Sequence, residues 1–354
     1  MHFANKLKLP HFMAAATLAG AAAFATTGAN ATDYETGMQE LNIEDPAGNR
    51  DLQGFVWYPT TQTERTVRAH GNQVWQAITV LPDAEPAAGE FPIVVLSHGM
   101  FGNARNQAWL AQELVADGYI VAAIDHPGTT TFNRDADERR MMWKRPQDVS
   151  RVIDHLTEDW KLSGIADSNQ IYAAGHSLGG WTVAALAGAQ YDGEAFSSFC
   201  EGQQDELVCN IFQGWKVGQD PAELELMQQD LSDDRISAFV LFDMGGAQTF
   251  STSSVAAIDR PTLVYGAAAQ QEGALDLDVA SRAFVQAMPS ENVTYIEGET
   301  YAHFDFLGVC TEHALDILRA EVPDDVYVCE DGTDARRAEH DVIAAEVSAF
   351  FKAN

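Results

Sequence analysis

Three stretches of this chain repeat one alternation of apolar runs and amphipathic segments. Phe91-Pro92-Ile93-Val94-Val95-Leu96-Ser97 is a short apolar run, and Tyr119 to Ile124 is another. Between them, Ala104 to Gly118 sets Trp109, Leu110, Leu114 and Val115 on one face at helical spacing, with Gly118 as the stop. Pro146 to Asp159 predicts a second helix, its proline early and Val149, Val152, Ile153 and Leu156 along one side. Gln170 to Ala174, Ile236 to Phe242, Thr262 to Tyr265 and Val293 to Ile296 predict further strands, and Asp341 to Phe351 a closing helix. Strands that are apolar throughout cannot turn one face to water. Helices must cover both faces, so the pattern predicts an α/β fold on a mostly parallel central sheet.

Two regions break the rhythm. Met38 to Pro59 alternates apolar and polar residues around Asp45-Pro46-Ala47-Gly48-Asn49, which predicts an antiparallel hairpin at the sheet edge. Tyr191 to Asp234 has weak periodicity, many acids and two isolated aromatics, Phe212 and Trp215. Its place suggests a lid inserted over residues 191–234. Either aromatic then touches substrate or anchors the lid to the core.

Lys6 and Lys8, the apolar stretch Phe12 to Ala25 and Ala29-Asn30-Ala31 have the layout of an export signal cleaved after Ala31. The apolar stretch is short for a membrane span. The expectation is a signal peptide over 1–31, one domain over 32–354, no stable membrane anchor after cleavage, and a periplasmic or secreted protein. With 52 Asp and Glu against 21 Lys and Arg, the formal net charge is −31. Such a surface repels nucleic acid and anionic lipid, excluding both as expected partners; it suits a saline habitat or simply solubility. Cys200, Cys209, Cys310 and Cys329 are an even set in an exported chain, which suggests disulfides. Local pairing, Cys200–Cys209 and Cys310–Cys329, is preferred among the possible arrangements, each bond contributing about 2–3 kcal/mol. No spacing fits a metal site, and none is expected.

Chemistry enters at Gly175-His176-Ser177-Leu178-Gly179, which follows the predicted strand and opens into the helix-forming run Gly180 to Ala187. This is G-x-S-x-G in its strand–turn–helix setting. The turn is too tight for side chains at the flanking positions, hence the glycines. It presents Ser177 Oγ at the sheet's carboxyl edge, facing a helix N-terminus that favours developing negative charge. A glycine-rich turn with an incidental serine is the plain alternative; the flanking strand and helix favour a nucleophile.

Acyl transfer also needs oxyanion donors, a base and an acid to orient the base. Ser97-His98-Gly99-Met100-Phe101-Gly102 follows an early strand, and the backbone N–H groups of Met100 and Leu178 are the candidate donors. His98 itself is expected to pack or hydrogen-bond. Of the histidines after Ser177, His303 directly follows the last predicted strand, whereas His313 and His340 fall in acid-rich helical stretches and are expected to be solvated. His303 is the candidate base. The turn Gly266-Ala267-Ala268-Ala269-Gln270-Gln271 has Ala where hydrolases of this order commonly carry the acid. Asp243, at the carboxyl end of the preceding strand, is preferred; Asp276 and Asp278 stay open as alternatives.

Val95 to Gly99, Val121 to Gly128, Arg145 to Ser150, Gly175 to Gly180 and Ala302 to Phe306 together resemble α/β-hydrolases of the predicted dienelactone hydrolase group. That group is related to the plasma type of platelet-activating-factor acetylhydrolase, and the likeness runs from about Gly37 to Cys310. The resemblance implies an α/β-hydrolase fold, the acid at Asp243 and short acyl chains. The expectation is a cofactor-free serine hydrolase acting on a small-molecule ester. A polyester or lipid esterase is the enzymatic alternative, and a non-catalytic binding protein on the same scaffold the other. The oligomeric state is left open.

Overall fold

The computed structural model describes residues 34–203, 205–269, 272–330 and 332–354; the expected leader, 1–31, lies outside the described residues. The first strands are β1 (Glu35–Ile43), β2 (Leu52–Thr60), β3 (Val67–Ala69), β4 (Ile78–Pro82) and β5 (Phe91–Ser97), followed by α1 (Ala108–Ala116) and β6 (Ile120–Asp125). Then come α2 (Ala136–Arg140), α3 (Lys144–Asp154), β7 (Ala166–His176) and α4 (Leu178–Ala187). Three short helices, α5 (Gly193–Cys200), α6 (Leu207–Trp215) and α7 (Pro221–Met227), precede β8 (Ile236–Phe242). The remainder is α8 (Thr252–Val255), β9 (Thr262–Ala267), α9 (Ser281–Ala287), β10 (Val293–Gly298), α10 (Ala314–Glu321) and α11 (Thr333–Ala353).

The strand order is β10-β9-β8-β7-β5-β6-β2-β1-β4-β3. From β6 to β10 the pairs are parallel, while β2 runs antiparallel to both β1 and β6. This is the α/β-hydrolase arrangement, with a short β3–β4 ribbon added at the edge. Because side chains alternate across a strand, each buried strand feeds two cores. Ile93 and Val95, Ile171 and Ala173, and Phe239 and Leu241 face α3 and α4 on one side. Val94 and Leu96, Tyr172 and Ala174, and Val240 and Phe242 face α1 and α11 on the other. Disulfides join Cys200 to Cys209 and Cys310 to Cys329. No described helix is long and apolar enough to cross a membrane.

Several boundaries differ from the sequence pattern for local reasons. The helix expected from Ala104 begins at Ala108, because Ala104 N–H goes to Asp125 and Asn106 folds back on Asn103. The helix expected to end at Asp159 finishes in a wider π turn over His155–Asp159. The closing helix starts at Thr333, eight residues earlier than its apolar stripe suggested. The β3–β4 ribbon was not anticipated. The segment joining its two strands ties to a distant loop: Gln76 N–H donates to Val309 O and Thr311 N–H to Val74 O.

Candidate active site

Ser177 stands between β7 and α4 with φ 55° and ψ −118°, a region that L-residues rarely occupy. The flanking glycines are required by contact. A Cβ on Gly175 would sit 2.2 Å from Gly179 O, and one on Gly179 would sit 1.9 Å from Ser97 O. Ser177 N–H donates to Phe242 O at the end of β8, so the turn is pinned beside the next strand. Asp243, the residue after that strand, is fully buried and also has positive φ, 40°.

The parallel sheet sets its carboxyl ends along one rim, and three side chains meet there. His303 Nδ1 lies 2.6 Å from Asp243 Oδ2, and His303 Nε2 lies 3.1 Å from Ser177 Oγ. A carboxylate only accepts, so Nδ1 carries the proton and Nε2 is free to receive the serine hydrogen. The other carboxylate oxygen of Asp243 accepts from Ala267 N–H at 3.0 Å. The β9 turn that lacks a carboxylate thus supplies a backbone donor to the acid from the strand before it. Asp276 and Asp278 do not reach His303. Asp276 caps its own loop at Asp278 N–H, and Asp278 pairs with Arg282 on the surface. The structure therefore separates the candidate acids: Asp243 adjoins the base, and the alternatives stand in solvent.

The base is held by its backbone as firmly as by its ring. His303 opens a short 3-10 turn, His303–Phe306, and its carbonyl accepts from His176 Nε2 at 2.7 Å. Asp305 in the same turn is buried; it accepts from Ala302 N–H and from Arg336 Nε at 3.0 Å. His340 Nε2 donates to Asp305 O and its ring stacks 3.5 Å from Trp109, whose indole N–H donates to Phe306 O. Burial holds the His176 imidazole well below its ordinary pKa and pushes His340 down to about 3, so both are neutral near pH 7. His340, expected to be solvated, is buried in this brace because α11 begins early enough to pass under the turn.

The loop after β5 is braced from the opposite side. Arg145 NH2 donates to His98 O at 2.5 Å and NH1 to Thr129 Oγ1, while Thr129 O accepts from Phe101 N–H. Met100 N–H has no backbone acceptor among the described residues, and Leu178 N–H is a first-turn amide of α4. Both are free to meet an oxyanion. A Cβ on Gly99 would come within 3.1 Å of Ser177 Cβ, so a side chain there would crowd the serine. His98 donates from Nδ1 to Gly99 O and accepts His126 N–H at Nε2, the packing role expected of it.

Beneath the loop, His126 joins Ser97 Oγ at 3.0 Å and Asp148 Oδ2 at 2.9 Å, and Arg50 grips Asp148 with two bonds of 2.7 Å. Burial pushes the Arg145 guanidinium down to about 9 and Asp148 upward; the first stays cationic near pH 7. Removing one partner of the buried Arg50–Asp148 pair costs about 3–5 kcal/mol. A signal for this cluster was present in the sequence: Arg145 and Asp148 lie on the same helical face as Val149 and Val152.

A cavity of about 1070 Å³ opens above Ser177 and His303. From the 191–234 segment it is lined by Leu207, Val208, Ile211 and Phe212. Phe212 also packs on Trp181 and Phe196, so it both lines the cavity and anchors α6. Trp215 is not among the lining residues; it packs on Phe101, 5.7 Å between centroids, because the last turn of α6 points it at the loop after β5, which is the anchoring alternative of the two. Leu207, Val208 and Ile211 were missed, since a short helix in an acid-rich stretch has too few turns to declare its apolar face. Among the described residues, no group of His, Cys, Asp or Glu is placed to hold a metal ion.

Comparison with known proteins agrees with this frame. A family model described as serine aminopeptidase, S33, matches residues 90–199, which covers β5 through the serine turn but stops before Asp243 and His303. A bis(hydroxyethyl) terephthalate hydrolase of Streptomyces coelicolor is 28% identical over 102 residues. That match spans 29% of this chain and 30% of that protein, so the chain aligns with under a third of this relative. The solved structure of a ferulic acid esterase from Streptomyces cinnamoneus superposes with a TM-score of 0.59 at 20% identity. It covers 92% of this chain and 91% of that one, and the likeness is one of fold.

Proposed function

We propose that this protein is an exported serine hydrolase that cleaves carboxylic esters through an acyl-enzyme. The observation that carries the reading is the unbroken line of hydrogen bonds from Asp243 through His303 to Ser177 Oγ at the floor of an open cavity. His303 Nε2 takes the serine proton as Oγ attacks the ester carbonyl, and Asp243 stabilises the imidazolium that forms. The amides of Met100 and Leu178 receive the oxyanion, each contributing about 3 kcal/mol to the transition state. Collapse expels the alcohol, protonated by His303. Water, activated by the same imidazole, then attacks the acyl carbonyl and releases the acid.

The resemblance to the acetylhydrolase group favours short acyl chains. The cavity volume favours a second reading, a bulkier ester, because about 300–1,000 Å³ already holds a drug-sized ligand. Two similar proteins, a bis(hydroxyethyl) terephthalate hydrolase and a ferulic acid esterase, support aromatic esters within that reading. The 191–234 segment serves as a lid whose apolar α6 face meets the substrate. Two disulfides support export, with the leader removed after Ala31.

A fluorophosphonate probe tests the chemistry directly, since it labels an activated serine and ignores an inert one. The protein is expected to label, and Ser177→Ala to lose both label and ester hydrolysis while keeping its fold. An unlabelled wild-type protein would leave the non-catalytic binding reading in place. A series of p-nitrophenyl esters of increasing chain length then separates short-chain from bulky-substrate preference.

A further inference from the structure

We infer that the cleft selects esters bearing a free carboxylate, gripped by Arg105 and Arg134; this deepens the hydrolase reading above and rests on it. In a chain with 52 acids and 21 bases, an arginine finds a carboxylate easily. Arg50, Arg140, Arg235, Arg282, Arg319 and Arg336 all do. Arg105 and Arg134 line the same cavity as Ser177, yet neither makes an ion pair or a side-chain hydrogen bond among the described residues. Each is held by aromatic rings instead. The Arg105 guanidinium lies 5.1 Å from the Phe55 centroid and 5.0 Å from that of Phe132, and Arg134 lies 4.4 Å from that of Phe101.

Stacking fixes a guanidinium by its face and leaves its in-plane N–H fork unused. Two guanidinium forks that make no hydrogen bond to a described protein group, at a cavity wall, match the planar oxygens of a carboxylate. Their place matters as well. Phe101 directly follows Met100, so Arg134 stands beside the loop proposed to hold the oxyanion. Asp125 is the acid that feels Arg105, but Ala104 N–H and Thr130 Oγ1 already occupy its Oδ1. Elsewhere the cavity wall carries the acids Glu113, Asp325 and Asp341, which repel an anion, and two further arginines, Arg68 and Arg337, whose guanidinium groups already donate to Ala77 O and Gln76 Oε1. Without such a local pair, the field of a chain with net charge −31 would hold anionic substrates away.

The test uses matched esters that differ in one charge. 4-Acetoxybenzoate and its methyl ester put the carboxylate on the leaving group; monomethyl and dimethyl terephthalate put it on the acyl side. For the wild type, the ratio of kcat/KM for acid over neutral ester is measured in each pair at low and high salt. In Arg105→Gln/Arg134→Gln that ratio should fall about tenfold for at least one pair, through KM of the acid, the effect of losing charge-assisted hydrogen bonds. Arg105→Lys/Arg134→Lys should recover part of it, and 1 M salt should lower the wild-type ratio. Ratios unchanged within twofold for both pairs, with the neutral esters still cleaved, would overturn this inference alone. A wild-type protein that cleaves none of the four overturns the hydrolase reading and this one together.

Discussion

The floor of the cleft and its rim are built on opposite principles. On the floor, Ser177, Asp243 and His303 follow the carboxyl ends of β7, β8 and β10, and each has backbone ties to a neighbouring strand or turn. Behind them lie buried braces: Arg336 on Asp305 and His340 on Asp305 O under the base, Arg145 on His98 O under the loop after β5. The rim consists of short helices and surface residues. Leu207 and Phe132 are exposed there, α5, α6 and α7 are each opened by an acidic side-chain cap, and the arginines are held by rings alone. Under the proposed mechanism these groups transfer a proton, which tolerates little misplacement, and they sit among parallel strands and buried hydrogen bonds. Substrate choice tolerates more, and the rim can vary without disturbing the floor.

The sharpest way to break this contrast is Asp243→Asn. An amide in that place favours the wrong imidazole tautomer, so kcat should fall about three to four orders of magnitude with the fold preserved. Asp276→Asn and Asp278→Asn, assayed beside it, should each cost less than about tenfold, as befits solvated loop carboxylates. An active Asp243→Asn would remove the acid from the floor.

The next test addresses the braces through pH. In the folded protein His340 takes a proton only near pH 3, while in the unfolded chain it does so near 6.5. Between those values the unfolded state binds more protons, so stability present above about pH 6.5 is lost as pH falls. His340→Gln keeps a donor toward Asp305 O but cannot titrate. Its denaturation free energy, followed from pH 6 to pH 4, should fall less steeply than the wild type's by about 1.4 kcal/mol per pH unit. Parallel slopes for the two proteins would place His340 outside the buried brace.

The smallest effects belong to the rim. Phe212→Leu and Leu207→Ala should shift the ratio of short-chain to long-chain p-nitrophenyl ester hydrolysis several-fold, with the turnover of the best substrate little affected. An unchanged profile across the series would remove α6 from the substrate path and leave it a surface excursion.

Much of the floor was legible in the chain. The strand at 170–174, the glycines around Ser177 and the position of His303 after the last strand are local signals, because a tight turn and an apolar run each need only neighbouring residues. The acid was legible in outline, with Asp243 preferred and Asp276 and Asp278 open. The braces were less so: Arg145 and Asp148 lie on an apolar helical face, but nothing along the chain named Thr129 and the His98 carbonyl as partners of the first, or Arg50 and His126 as partners of the second. His340 was read as solvated since its helix looked shorter than it is. The rim was the least legible, as helices of seven to nine residues carry too few turns for periodicity to show.

The parallel strands of the central sheet, the helices over Ala108–Ala116 and Lys144–Asp154, and the serine turn follow from the sequence alone, since burial on both faces and positive-φ geometry leave marks at short range. Which carboxylate meets His303 did not. It depends on how far β8 and β9 project along one rim, and on Ala267 N–H turning toward Asp243 rather than toward solvent. The two unpaired arginines of the cleft likewise exist only in three dimensions. In sequence Arg105 and Arg134 are ordinary charges in an acidic chain; folding sets each against aromatic rings without an ion pair among the described residues. Contacts between residues far apart in the chain have no local period to announce them, and the tertiary structure alone decides them.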